Sequence, residues 1–172
     1  MLKKNIITQR LCLSSMNESH TDDIIEIITD ETVKKTYMLP DFQSREDAQK
    51  LALRLCALSA TEAHYVVGVC LGDKLIGFIN DTEISADRKG LELGWAFNPN
   101  FYNKGYATEA VSAMIEFLFA EGFSEVTAGA FEENPASMRV MEKSGMLRVD
   151  KTEDIEYRGK IHKCLFYSIK RK

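Results

Sequence analysis

At 172 residues the chain fits one compact domain with its own core, and a second domain of ordinary size would not fit. A make-up of 45% hydrophobic and 28% charged residues is that of a globular protein and excludes the disordered and fibrous classes. A net charge of -4 gives no basic field for a phosphate backbone, and no run of eighteen apolar residues or signal peptide is found, so a cytoplasmic protein without nucleic-acid or membrane partners is expected.

In chain order, Ile6 to Leu13 is a short β-prone run, and Asp22 to Ile28 then carries Ile24, Ile25, Ile27 and Ile28 at helical spacing. Ser44 followed by Asp47 reads as a capping box for a helix over about Arg45 to Ala57, with an apolar face that includes Leu51, Leu55 and Leu58. Tyr65 to Leu71 and Leu75 to Asn80 flank the turn Gly72-Asp73-Lys74, and Asp87 to Gly90 leads into Leu91 to Phe97, which together predict an antiparallel meander. From Thr108 to Phe119, Ala110, Val111, Met114, Ile115 and Leu118 recur at i, i+3, i+4, and Gly122 ends that helix. Glu125 to Phe131 is the next strand. A helix then runs from Pro135, a good first-turn residue, to the cap-like Gly145. Leu147 to Tyr157 and His162 to Ile169 are two last strands joined at Arg158-Gly159-Lys160. The order β-α-α-β-β-β-α-β-α-β-β predicts a mixed sheet with helices on its faces, and no repeat or linker marks a boundary within residues 1–172.

Two segments carry the chemistry. In Asn98-Pro99-Asn100-Phe101-Tyr102-Asn103-Lys104-Gly105-Tyr106-Ala107-Thr108-Glu109-Ala110, Gly105 allows a tight turn and the small Ala107 lets a ligand approach the first helical turn. The N–H groups at such a helix start suit a pyrophosphate, as in coenzyme A; a plain strand-to-helix loop is the alternative. Lys104 precedes Gly105, so the G-K-[S/T] order of a nucleoside-triphosphate loop is missing. The second segment is Asn134-Pro135-Ala136-Ser137-Met138-Arg139-Val140-Met141. There Asn134 and Ser137 sit between a strand and a helix, either as cap and first-turn residues or pointing into the gap beyond the strand's end.

Together these segments, G-Y-A-T-E-A and then N-P-A-S-M-R-V-M-E-K-S-G, resemble the GNAT superfamily of acyl-CoA-dependent N-acetyltransferases. The spacing and the opening T-Q-R-L-C-L are similar to its branch of ribosomal-protein N-terminal acetyltransferases. The resemblance covers nearly the whole chain. It implies a GNAT fold of the α/β (α+β) class, one domain with a mixed, mostly antiparallel sheet of about seven strands and helices on both faces. It also implies transfer of an acetyl group from acetyl-CoA to a primary amine, on a protein N-terminus or a small molecule. A coenzyme-binding module of the same fold without turnover is the alternative. The implied coenzyme contacts are Trp95, Ala96, Phe97, Tyr102, Asn103, Lys104, Gly105, Tyr106, Ala107, Thr108, Asn134 and Ser137, with an oxyanion donor among the backbone N–H groups of Trp95 to Phe97. The sequence departs from the pattern at three places. Tyr102 stands where the family has Gln or Arg, Asn103 where this branch often has Gly, and Met141 where many members have a tyrosine acid. Ser137 is the substitute acid that the resemblance implies.

An amine attacks a thioester only when neutral, so a base must take its proton. Glu92 is the candidate: alternation along Leu91-Glu92-Leu93-Gly94-Trp95-Ala96-Phe97 puts the bulky apolar residues on one face and Glu92, Gly94 and Ala96 on the other. A salt-bridged or solvent-facing carboxylate is the alternative, and Glu83 and Glu109 are weaker candidates, the latter placed to favour the helix dipole. Cys12, Cys56, Cys70 and Cys164 have no C-x-x-C spacing and read as reduced core thiols, His20, His64 and His162 are separated, and no metal is expected. A G-x-S-x-G elbow is absent. The acceptor is expected to be chosen by the segment Thr36 to Gln43 and the hairpin around Tyr157 to His162, and the assembly is expected to be a monomer or a homodimer.

Overall fold

The computed structural model describes residues 5–172. The opening run is not one strand: β1 (Ile6–Ile7) and β2 (Cys12–Ser14) form an antiparallel hairpin. Thr8 makes the break, because its N–H donates to the Leu11 carbonyl and its Oγ1 accepts from the Leu11 N–H, each at 3.0 Å. Such local bonding by a threonine competes with a sheet ladder. Helix α1 (Thr21–Thr29) follows and buries the four isoleucines at helical spacing. A short helix not foreseen in the sequence, α2 (Glu31–Lys34), starts at Asp30, whose carboxylate accepts from the N–H groups of Thr32 and Val33. Helix α3 (Arg45–Ser59) begins at Ser44, whose Oγ accepts from the Asp47 N–H at 3.2 Å. Its fully buried positions are the small residues Ala48, Ala52 and Cys56, while Leu51, Leu55 and Leu58 are only partly buried at the core's edge. Small side chains there let α3 pack closely on α1.

Strands β3 (Val67–Leu71) and β4 (Lys74–Ile84) pair antiparallel around the two-residue turn Gly72-Asp73, with Gly72 at φ +59°. β4 runs four residues beyond its expected end. Strand β5 (Gly90–Phe97), helix α4 (Tyr106–Ala120), strand β6 (Glu125–Phe131), helix α5 (Pro135–Lys143), and strands β7 (Leu147–Tyr157) and β8 (Lys160–Lys170) complete the chain. The last turn is Arg158-Gly159 alone, both at positive φ, because Lys160 already pairs with Tyr157. Among the described residues the sheet has eight strands, in the order β1-β2-β3-β4-β5-β6-β8-β7. The strand beyond the expected seven comes from the split at Thr8. β5 and β6 are parallel, in register from Gly90–Glu125 to Leu93–Ala128, and β6–β8 and β8–β7 are antiparallel.

The chain forms two compact units that interleave in sequence. One runs up to Asn80 and includes Trp95–Ala110; the other comprises Asp81–Gly94 and Val111–Lys172. The core of the first joins Ile24, Ile27 and Ile28 to Val33, Ala48, Leu75, Phe78 and Ala96. In the second, Phe131, Cys164 and Phe166 pack with Val149, Ile155 and Tyr157. Met141 is wholly buried, so the position at which the resemblance expected an acid is a core position here.

None of the four cysteines is in a disulfide. Cys56, Cys70 and Cys164 are buried, whereas Cys12, paired across the ladder from Cys70, is partly exposed. Burial, followed by the charges of Glu92 and Glu153, pushes the Cys164 thiol up to about 11. Burial also raises Cys56 and Cys70. Among the described residues no helix is long and apolar enough to cross a membrane, and no group of His, Cys, Asp and Glu is arranged to hold a metal ion.

Candidate active site

In the first unit, the end of β5 leads into the loop Asn98 to Gly105 and then α4. The alternation expected on β5 breaks here: Leu91 and Leu93 are buried as foreseen and Glu92 is half-buried, but Ala96 is buried and Trp95 only half-buried. Ala96 and Phe97 lie against Gly77, where a Cβ would come within 2.5 Å of the Phe97 ring and 2.8 Å of the Ala96 carbonyl oxygen, so the strand end packs tightly over a glycine.

Asn98 anchors the loop. It is 2% exposed, its N–H donates to the Ile76 carbonyl at 2.8 Å, and its Oδ1 accepts from the Asn100 N–H at 3.0 Å. Its Nδ2 donates to Glu26 at 2.8 Å, and Glu26 in turn binds Lys74, which also reaches Asp23. The hydrogen bond from Lys74, then that from Asn98, holds the Glu26 carboxyl below its ordinary value. A single 3-10 turn over Pro99–Phe101 follows, and the Lys104 ammonium folds back to the Asn100 carbonyl at 3.0 Å. Asn103 stands at φ +59° and Gly105 at +81°. The loop therefore needs the left-handed region at the position where Asn103 replaces the family's glycine, and asparagine is among the few other residues that accept it. The first bond of α4 runs from the Glu109 N–H to the Gly105 carbonyl at 3.0 Å, so the amides of Tyr106, Ala107 and Thr108 precede the helical ladder. Tyr102 through Gly105 are exposed, and Tyr106 through Thr108 are half-buried.

Glu109 is bound rather than free. It accepts from Thr8 Oγ1 at 2.6 Å, from the Arg10 N–H at 2.9 Å and from Arg10 Nε at 2.7 Å. Partial burial pushes its carboxyl up, but the bonds from Thr8 and Arg10 outweigh this and hold it below the usual range. That occupation removes Glu109 from the candidate bases. Also in this unit, an open depression is lined by Ile25, Thr29, Lys34, Phe42, Gln43, Ser44 and Arg45, and so takes in the end of the segment Thr36 to Gln43.

In the second unit, Glu92 lies on β5 opposite Thr82, whose hydroxyl donates to Glu92 Oε1 at 2.9 Å. The charge of Glu92 acts on Lys151. This lysine pairs with Glu153 at 3.0 Å, stands 3.9 Å over the Phe166 ring, and its pKa is raised first by the Glu153 bond and also by the charges of Glu92 and Glu83. Asn134 and Ser137 are brought together: the Ser137 N–H donates to Asn134 Oδ1 at 3.2 Å, and Asn134 Nδ2 donates to Ser137 Oγ at 2.9 Å. Asn134 is thus the cap of α5, and because Ser137 Oγ receives a bond, its own hydroxyl proton is left for another acceptor. Among the described residues no hydrogen bond joins Glu92 to Ser137. The histidines have partners that spacing did not reveal. His20 Nδ1 accepts from the Asn17 N–H at 3.1 Å, while His162 stacks on Phe131 at 4.6 Å and pairs with Glu133 at 3.1 Å.

Residues 10–147 match the acetyltransferase (GNAT) domain family. The chain belongs to that family and is an acetyltransferase. It is 33% identical over 145 residues to the uncharacterised N-acetyltransferase YnaD of Bacillus subtilis (strain 168), covering 84% of this chain and 83% of the relative. Among solved structures, a GNAT-family acetyltransferase from Bacillus anthracis superposes with a TM-score of 0.83 at 27% identity, over 96% of this chain and 98% of that one. RimL, a ribosomal L7/L12 alpha-N-protein acetyltransferase in complex with coenzyme A, shares the fold with a TM-score of 0.85 at 16% identity, over 97% and 98% of the two chains.

Proposed function

We propose that this acetyltransferase works as one domain that moves an acetyl group from acetyl-CoA to a primary amine, either a protein N-terminal α-amine or a small-molecule amine. The observation that carries this reading is the loop into α4, where two left-handed residues lead into a helix start whose Tyr106, Ala107 and Thr108 amides precede the helical ladder, a backbone suited to a pyrophosphate. Tyr102 to Thr108 hold the pyrophosphate. Trp95 to Phe97 bind the pantetheine arm through their backbone and supply the oxyanion donor. Asn134 acts beside Ser137. Glu92, half-buried and oriented by Thr82, takes the proton from the attacking ammonium or from a water next to it. The amine nitrogen then forms a bond to the thioester carbonyl carbon, and the C–S bond breaks as the oxyanion collapses. The nitrogen loses its second proton as the amide forms, and the departing sulfur receives that proton by way of the Ser137 hydroxyl, while the proton on Glu92 passes to water. A protein N-terminus is favoured by the family branch and by the activity named for RimL, while YnaD leaves the acceptor open.

The test is release of coenzyme thiol from acetyl-CoA across a panel of peptide N-termini and small amines. Glu92→Gln is expected to lower kcat about a hundredfold, with the KM for acetyl-CoA preserved, and Ser137→Ala is expected to lower kcat by less. Tight coenzyme binding without turnover on any amine would instead favour the binding module, a reading that the absence of the tyrosine acid at Met141 supports.

A further inference from the structure

We propose that Arg10 and Glu109 are a positioning pair for the donor-binding loop, fixing the peptide between Lys104 and Gly105 so that the Gly105 N–H faces the pyrophosphate; this rests on the proposed role of that loop. Arg10 lies 94 residues before Lys104 in sequence, yet its Nη1 donates to the Lys104 carbonyl at 3.0 Å while its Nε is held by Glu109 Oε2 at 2.7 Å. One guanidinium therefore bridges the loop and the first turn of α4, which the planar fork of arginine does and a lysine ammonium does not. Arg10 Nη2 would stand 3.4 Å from a Cβ at position 105, and the guanidinium carbon sits 4.5 Å over the Tyr106 ring. Thr8, through its hydroxyl, and the Arg10 N–H hold the other carboxylate oxygen, so the pair is itself fixed from the turn between β1 and β2.

The carbonyl that Arg10 captures lies between the two left-handed residues, Asn103 and Gly105, where the backbone has the weakest preference for one orientation. In a trans peptide the C=O and N–H point in opposite directions, and no cis bond is present among the described residues. Anchoring the Lys104 carbonyl on Arg10 thus aims the Gly105 N–H away from Arg10. Holding that donor in place before the coenzyme arrives removes an ordering cost from binding.

Charge alone and positioning predict opposite results for one variant. Glu109→Gln removes a negative charge near an anion site, so simple electrostatics predicts tighter coenzyme binding, whereas loss of the anchor predicts weaker binding. The experiment is calorimetric titration of coenzyme A into the full chain and into Arg10→Lys, Arg10→Met and Glu109→Gln, with turnover of acetyl-CoA compared against S-acetylpantetheine, which lacks the pyrophosphate. The expected result is a rise of about tenfold in the coenzyme A Kd for Glu109→Gln and Arg10→Met, a smaller rise for Arg10→Lys, and no comparable loss with S-acetylpantetheine. Unchanged or tighter binding in Glu109→Gln and Arg10→Lys would overturn the proposal, as would equal losses on both donors, the mark of a merely structural role. If the unaltered protein binds no coenzyme A or uses both donors alike, the donor-loop reading itself fails, which is a separate outcome. Arg10→Lys keeps the charge and bulk needed for folding, so the titration can be read even if Arg10→Met does not fold.

Discussion

Asn103 illustrates how one side chain serves backbone geometry. Its φ of +59° lies where most residues pay a steric cost between Cβ and the following carbonyl, which asparagine tolerates better than alanine. Asn103→Ala is expected to lower stability by about 1 kcal/mol, read from the shift in the urea midpoint, whereas Asn103→Gly should leave the loop conformation and coenzyme affinity intact. The sequence marked this position as a departure from the family but gave no sign of the torsion, since asparagine is common in loops of every kind. The same limit applied to Glu109. Its place in the first helical turn was legible, but its partners Thr8 and Arg10 lie about a hundred residues away, and no spacing rule connects a hairpin to a distant helix. Asn134 and Ser137, three apart on one turn, were legible for the opposite reason.

Among the elements, those with a strong period came through the sequence nearly intact: β6 matches its expected bounds, and α1, α4 and α5 differ only at their ends. Errors fell where a local polar bond overrides the pattern, as at Thr8, where a short helix has too few residues for a period, as in α2, and at β4, whose last four residues, Asp81 to Ile84, include three polar ones and none that is buried. The link between α1, β4 and the donor loop through Glu26 gives an element-scale prediction. A carboxyl held below its ordinary value in the folded state stabilises the protein above the unfolded-chain value, and that contribution is lost as pH falls through the folded value. Urea midpoints should therefore drop on acidification below about pH 5, and Glu26→Gln, less stable near neutrality, should show a shallower drop over the same interval. Equal slopes for the two proteins would show that other carboxylates dominate the acid limb.

For the molecule as a whole, β4, β5 and α4 each continue from one compact unit into the other, so neither unit is a single stretch of chain. Unfolding in urea is expected to be one transition, with tryptophan fluorescence from Trp95 and far-ultraviolet circular dichroism coinciding; two separated transitions would refute the one-domain assignment. The buried thiols have a practical side for bench work. At pH 8 Cys56, Cys70 and Cys164 are shielded and their thiols raised, leaving Cys12 as the one partly exposed sulfur. A chromogenic disulfide reagent should colour with at most one equivalent per native chain and with all four after denaturation. The enzyme is thus nearly silent toward the reagent that reports free coenzyme, so turnover can be recorded continuously, and a late rise in colour would mark the enzyme's own unfolding.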